Sequence, residues 1–314
     1  MNSFISPLRY PGGKKKLAAF IAKICIDNNI NGHYVEPYAG GASVALFLLF
    51  EGYVETITIN DKDKSIYAFW YSVLYKTNEL CKLIEETDIT INNWKLQKVI
   101  QKNKDNESLL NLGFSTLFLN RTNRSGIING GVMGGKLQNG DYKIDCRFNK
   151  VEIIDRIRKI SKRRDSIRLY NIDAIELIDI IEREAIHENI IFYFDPPYYL
   201  KGSSLYMNYY KNNHHLAVSR RIKSIVNIRW IVSYDDQEEI KNLYIECDQK
   251  EFCFKHTAHH SKKGEEILFF SPNLFQPLIQ DYNPIGFKFL KKGEAKSIIY
   301  KHPQIIDCAL SSVK

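Results

Sequence analysis

The stretch Ile190-Ile191-Phe192-Tyr193-Phe194-Asp195-Pro196-Pro197-Tyr198-Tyr199 constrains this chain more than any other. An unbroken apolar run of this length, stopped by prolines, predicts a buried parallel strand covered on both faces. Pro196 and Pro197 cannot continue a sheet ladder, and a residue that precedes proline is pushed towards extended geometry. Asp195, the Pro196 carbonyl and the Tyr198 ring are therefore expected together at the carboxyl end of a strand, where open α/β sheets bind their ligands. Such a group suits alkylation of an exocyclic amine. The lone pair of an adenine or cytosine amine is delocalised into its ring, and acceptors that draw on its N–H bonds restore its nucleophilicity. Asp195 and the Pro196 carbonyl supply two acceptors, and Tyr198 offers a face for stacking. An ordinary strand running into a proline-rich turn is the plainer alternative.

Two earlier segments carry related signals. Arg9-Tyr10-Pro11-Gly12-Gly13-Lys14 precedes a helical run reaching about Asn28. Paired glycines allow a tight turn, and a lysine at a helix start suits an anion. The short strand His33–Pro37 then leads through Tyr38-Ala39-Gly40-Gly41-Ala42-Ser43 into an apolar helix, Val44 to Phe50. Strand, glycine turn and helix in that order open a nucleotide-type α/β unit. The spacing is not GxGxxG, which favours a cofactor without a pyrophosphate. A second strand, Thr56–Ile59, leads to Asp61, placed 21 residues beyond Gly40, where an acid can take ribose hydroxyls. The aromatic-rich pattern from Lys62 to about Glu86 reads as a core helix. A third strand, Ile167–Asn171, leads to Asp173, an N-cap candidate for the helix Ala174 to Glu184.

Net charge matters through its placement. The chain of 314 residues carries +8, yet residues 91–165 hold 16 Lys/Arg against 7 Asp/Glu, leaving 28 against 29 elsewhere. A regional surplus points to a nucleic-acid contact module. Inside it, Leu109 to Asn120 reads as a helix, followed by a loop with six of the 17 glycines between Gly126 and Gly140. Asn120, Arg121, Asn123, Arg124 and Lys136 are the candidate DNA-binding residues, because Arg and Asn match base edges in the major groove. A flexible surface loop with incidental charge is the alternative. Tyr142 to Phe148 is expected to return as a strand, and Val151 to Ile160 as a helix with a basic outer face. Two late strands, Glu251–Thr257 and Glu266–Ser271, flank His256, His259 and His260, but no set of ligands completes a zinc site.

Asp195-Pro196-Pro197-Tyr198 is the Asp-Pro-Pro-Tyr signature of N6-adenine DNA methyltransferases, and the chain resembles the Dam-like branch of that family. Tyr10 to Lys14 resembles its N-terminal motif, and Glu36-Pro37-Tyr38-Ala39-Gly40 its S-adenosylmethionine (AdoMet) motif with Tyr for Phe. Asn120-Arg121 resembles its target-recognition region, beyond which the loop departs from Dam itself. The resemblance spans roughly residues 6–272. It implies an α/β, Rossmann-like AdoMet-dependent sheet, mostly parallel with one antiparallel strand near the end, and an inserted, mainly helical target-recognition domain. Residues 1–90 and 165–275 would form the catalytic domain, 91–164 the insertion and 276–314 a C-terminal extension. It also implies catalytic roles for Asp195, Pro196 and Tyr198. Cofactor contacts would come from Tyr10, Lys14, Glu36, Tyr38, Gly40, Asp61, Asp173 and Asp195, with Asp173 taking the adenine amine.

The expected activity is methyl transfer from AdoMet to the N6 amine of an adenine flipped out of double-stranded DNA, yielding S-adenosylhomocysteine. A catalytically silent DNA-binding protein on this fold and an RNA N6-adenine methyltransferase are the alternatives. No apolar stretch approaches the 18 or so residues that a membrane span needs. With no leader pattern and no CxxC pair among its six cysteines, a cytoplasmic location in a prokaryotic or phage-infected cell is expected. A monomer or weak dimer is expected, with a restriction endonuclease as a possible companion.

Overall fold

The computed structural model describes residues 6–9, 14–184, 189–199, 212–255 and 263–301. Its main sheet is built from β1 (His33–Glu36), β2 (Thr56–Asn60), β3 (Ile167–Tyr170), β4 (Ile190–Phe194), β5 (Arg229–Asp235), β6 (Asp248–Lys255) and β7 (Lys263–Phe270). They lie in the order β3-β2-β1-β4-β5-β7-β6. The first five are mutually parallel, and β7 runs antiparallel between β5 and β6. Strand order reverses between β1 and β4, so a crevice for ligands is expected at their carboxyl ends.

The continuous apolar run of β4 is explained by cover on both faces. Ile191 and Tyr193 belong to one core, while Phe192 and Phe194 belong to the other. The first core is closed by α1 (Ala18–Asp27), α2 (Ser43–Phe50), α3 (Lys64–Tyr75) and α4 (Thr77–Glu86). The second is closed by α8 (Ala174–Glu184), α9 (Asn212–Lys223) and α10 (Glu238–Leu243). The aromatic-rich pattern expected as one helix breaks into α3 and α4 at Lys76, whose φ of −131° is not helical.

Between β2 and β3 the basic segment contributes α5 (Ile91–Lys102), α6 (Leu109–Thr122) and α7 (Lys150–Ser161). Thr90, Ser108 and Asn149 cap them by accepting from the backbone N–H groups of Asn93, Asn111 and Glu152. Trp94, Phe118 and Ile157 join the first core, so this segment is packed onto the sheet domain. Gly113 makes that contact close: a Cβ there would stand 2.4 Å from the Ala68 carbonyl oxygen of α3. Tyr142 to Phe148 is not the expected strand. Ile144, in a turn, and Phe148, just after it, are buried side chains of an irregular segment that joins no ladder.

Residues 275–314 show no recognisable motif in the sequence, yet β8 (Phe287–Lys292) and β9 (Ala295–Tyr300) form a hairpin closed at Gly293, whose φ is +62°. It docks on α1, with the Phe287 ring 5.4 Å from Phe20. No helix among the described residues is long and apolar enough to cross a membrane.

Candidate active site

Parallel pairing of β1 with β4, Val35 opposite Phe192, sends Glu36-Pro37-Tyr38 and Phe194-Asp195-Pro196 out of the same sheet edge side by side. At that edge Asp195 Oδ1 accepts a 2.7 Å hydrogen bond from Ser233 Oγ on β5, and Ser233 in turn accepts from the Tyr193 hydroxyl at 2.9 Å. Lys14 Nζ lies 3.1 Å from the same oxygen. It comes from the N-terminal segment, immediately before a short 3₁₀ turn, Lys15–Leu17.

Lys14 is divided among several partners. Its Nζ donates to the Tyr198 hydroxyl at 2.9 Å and to Glu266 Oε1 at 3.4 Å, with Glu266 Oε2 3.2 Å away as an ion pair. The Tyr198 hydroxyl donates to Glu266 Oε1 at 2.6 Å. Side-chain exposures of 2 % for Lys14 and 5 % for Glu266, against 19 % for Asp195, place the lysine behind the aspartate and the aspartate at the mouth. Burial alone would lower the Lys14 pKa, but Asp195, Tyr198 and Glu266 outweigh it and hold the ammonium well above its ordinary value. Burial raises the Asp195 pKa, opposed by Lys14 and the Ser233 hydrogen bond. Glu266 is raised by burial and opposed by Lys14 and Tyr198.

The glycine turn lies beside this group. Gly40 and Ala42 adopt φ of +46° and +47°. The Gly40 N–H donates to Asp61 Oδ2 at 3.0 Å, and Trp70 Nε1 donates to the Gly40 carbonyl at 2.9 Å. Asp61 Oδ1 accepts from the Asp63 N–H, and burial with the Asp63 charge raises its pKa to about 7. Asn60 ties the neighbouring strand tips together, donating to the carbonyls of Pro37 and Ile172 and accepting from the Ile172 N–H. Asp173 caps α8 through the Ile175 N–H and pairs with Lys62 at 2.8 Å; against the effect of burial, these contacts lower its pKa. Tyr38 is half-buried against the second core. Glu36 is buried, and burial followed by the nearby Asp195 raises its pKa well above the ordinary range. Its Oε2 has no hydrogen-bond partner among the described residues. Tyr10 and the histidines 256, 259 and 260 lie outside the described residues.

The loop candidates divide by orientation. Asn120 is buried: its Oδ1 accepts from the Arg9 N–H, and its Nδ2 donates to the carbonyls of Arg9 and Gly126. Asn123 is also buried, accepting from Trp94 Nε1 at 2.7 Å and donating to the carbonyls of Ile127 and Ile128. Arg121 donates Nε and Nη2 to the Pro7 carbonyl, and burial, with Arg156 and Arg9 nearby, lowers its pKa to about 10. In the free chain these three side chains hold the loop and the N-terminal segment together, a structural role beside the base-edge role expected of them. Gly126, with φ +77°, lets the loop approach Arg9 so closely that a Cβ would stand 2.1 Å from its carbonyl oxygen. Arg124 and Lys136 are exposed. Asn123→Ala should therefore cost about 2–3 kcal/mol of stability, read from the denaturation midpoint, with DNA affinity of the folded protein unchanged. A folded variant that loses DNA affinity tenfold would bear out the base-edge role as well.

The sequence reading missed Ser233, Asn60 and Glu266. Glu266 left no signal in the sequence; the β5–β7 register, which only the fold supplies, places it opposite Asp235. Among known proteins, the family model described as "D12 class N6 adenine-specific DNA methyltransferase" matches residues 10–260. No curated protein matches the chain.

Proposed function

The chain belongs to the D12 class of N6 adenine-specific DNA methyltransferases, and on that footing we propose that it transfers a methyl group from AdoMet to the N6 amine of an adenine flipped out of duplex DNA. One observation carries the reading: Asp195, backed by Lys14 and Ser233 and followed by Tyr198, leaves the sheet at the strand-order reversal beside the Gly40 turn.

The residues present fit AdoMet. Glu36 offers a buried oxygen with no hydrogen-bond partner among the described residues, close to Asp195, which suits the cofactor's ammonium end. Gly40 and Ala42 in the left-handed region give a turn without bulky side chains, and Asp61, fixed by two backbone N–H groups, presents a carboxylate for hydroxyls. Asp173, which caps α8, and Tyr38, half-buried against the second core, would serve the adenine end. When bound, AdoMet supplies an electrophilic methyl group on a sulfonium.

The chain's own work is to prepare the nucleophile. Among the described residues, the bonds made by Ser233 and Lys14 fall on Oδ1 of Asp195. Oδ2 and the Pro196 carbonyl can then accept the two N–H bonds of the amine and return its lone pair to nitrogen. The amine becomes acidic only as it is alkylated, so Asp195 takes its proton late and orientation supplies most of the gain. Tyr198 provides the stacking face for the extruded base, whose flipping costs a few kcal/mol.

Residues 91–164 form the proposed target-recognition segment, with Arg124 and Lys136 as its exposed DNA contacts. Each of Arg124→Ala and Lys136→Ala should weaken DNA binding and reduce the slope of log K against log salt by about one. An unchanged slope removes that residue from the interface. A monomer or weak dimer is the proposed state, and site-specific modification is what a companion restriction endonuclease would require.

The deciding experiment is transfer of tritiated methyl from AdoMet to DNA taken from a methylation-free host, followed by nucleoside analysis. Label in N6-methyladenine, absent with Asp195→Ala, supports the proposal. Label confined to cytosine, no label, or label entering RNA alone when RNA is offered beside the DNA, sinks it.

A further inference from the structure

Glu266 belongs to no motif, yet its carboxylate is buried and meets two of the groups proposed for catalysis. We infer that Glu266 is a positioning residue for methyl transfer: from β7 it fixes the Tyr198 ring and keeps Lys14 divided between two acids, leaving Asp195 able to accept from the target amine.

The Tyr198 hydroxyl spends its only proton on Glu266 Oε1 at 2.6 Å, so it can meet Lys14 only as an acceptor, as the 2.9 Å contact shows. The phenol is held from both sides. Lys14 Nζ lies 2.9 Å from the hydroxyl oxygen and stands over the ring at 4.7 Å from its centre, so one cation fixes both the hydroxyl and the tilt of the ring. A buried ammonium facing one carboxylate closes onto it as a tight pair. Here it stands 3.1 Å from Asp195 and 3.2 Å from Glu266, so neither acid holds it alone. An acid placed opposite Asp235 across β5 and β7 is a poor choice for stability alone. Holding Lys14 and Tyr198 gives it a reason to be there.

This inference rests on the reading of Asp195 and Tyr198 as catalytic, and the test separates the two. Glu266→Gln keeps an acceptor for the Tyr198 hydroxyl and removes the charge; Tyr198→Phe removes the hydrogen bond from its other end. The full chain, labelled with 15N-lysine, reports the Lys14 ammonium directly, assigned by its loss in Lys14→Met. Transfer to DNA from a methylation-free host gives kcat and the KM for AdoMet. In Glu266→Gln the Lys14 signal is expected to move, kcat to fall about 10–100-fold through misplacement of the platform, and the KM for AdoMet to stay within about twofold. Tyr198→Phe should lower kcat similarly, and the double variant should be no worse than the poorer single one. An unmoved Lys14 signal, an unchanged kcat, or a loss shared equally by kcat and KM overturns the role of Glu266. If Glu266→Gln does not fold, Tyr198→Phe decides: full kcat overturns the proposal. Activity surviving Asp195→Ala, or none in the wild type, overturns the catalytic reading itself and this inference with it.

Discussion

Replacing Asp195 with alanine is expected to lower methyl transfer by about a thousandfold or more, with the protein still folded and the melting temperature unchanged or raised. The rate loss follows from geometry. Asp195 is the most exposed member of the buried charge group, at 19 %, and the one at the end of β4. Without its carboxylate one N–H of the amine has no acceptor, and the positive charge developing on nitrogen has no counter-charge. Losses of 10²–10⁴ are typical when such a group is removed. The stability side runs the other way. Burial disfavours the Asp195 anion, and the same anion raises Glu36 and Glu266. Its removal relieves both acids, and Lys14 keeps Glu266. A site built to hold acids together sacrifices some stability for chemistry. Initial rates of tritium transfer beside thermal melts check both halves. A variant retaining more than a tenth of the wild-type rate would show that the amine is activated elsewhere.

The elements legible in the sequence were those whose cause is local. The strand β4 shows as an apolar run because both faces are covered, and its end shows because Pro196 and Pro197 stop any ladder. The turn at Gly40 shows because a backbone at φ +46° favours glycine. Partnerships across the fold left weaker marks. Lys14 and Glu266 are separated by 252 positions, and no periodicity names the partner of a lone lysine. For Asn120 and Asn123 the sequence leaves two uses open, because the donor and acceptor that suit an adenine edge suit a backbone amide and carbonyl equally well; burial reveals the second use. The hairpin of β8 and β9 was present as alternating Phe287, Lys288 and Phe289 ahead of Gly293, a local signal that went unread.

Lys14→Met should be the most destabilising single change at this site, by about 3–5 kcal/mol near neutral pH, because it leaves buried acids without their cation. Against a total of about 5–15 kcal/mol for a typical fold, that is a large fraction. Its pH dependence distinguishes lost charge from lost packing. In the wild type the folded pKa of Lys14 lies above its ordinary 10.5. Its contribution is therefore complete below that value and fades only as pH rises through the folded one, leaving the physiological range untouched. In the variant, Asp195 and Glu266 lose the ammonium that opposed the effect of burial, so their folded pKa values climb further above 3.8 and 4.5. A carboxylate whose pKa is higher folded than unfolded binds more protons in the native state, so stability falls as pH rises through that folded value. The deficit of Lys14→Met relative to the wild type should therefore be largest on the alkaline side and shrink as pH falls from 8 towards 5, where the two acids take up protons in place of the ammonium. Paired melting curves across that range measure it. A deficit that stays constant means that Lys14 acts there as a space-filling stem; one that widens on acidification means that the acids were never raised.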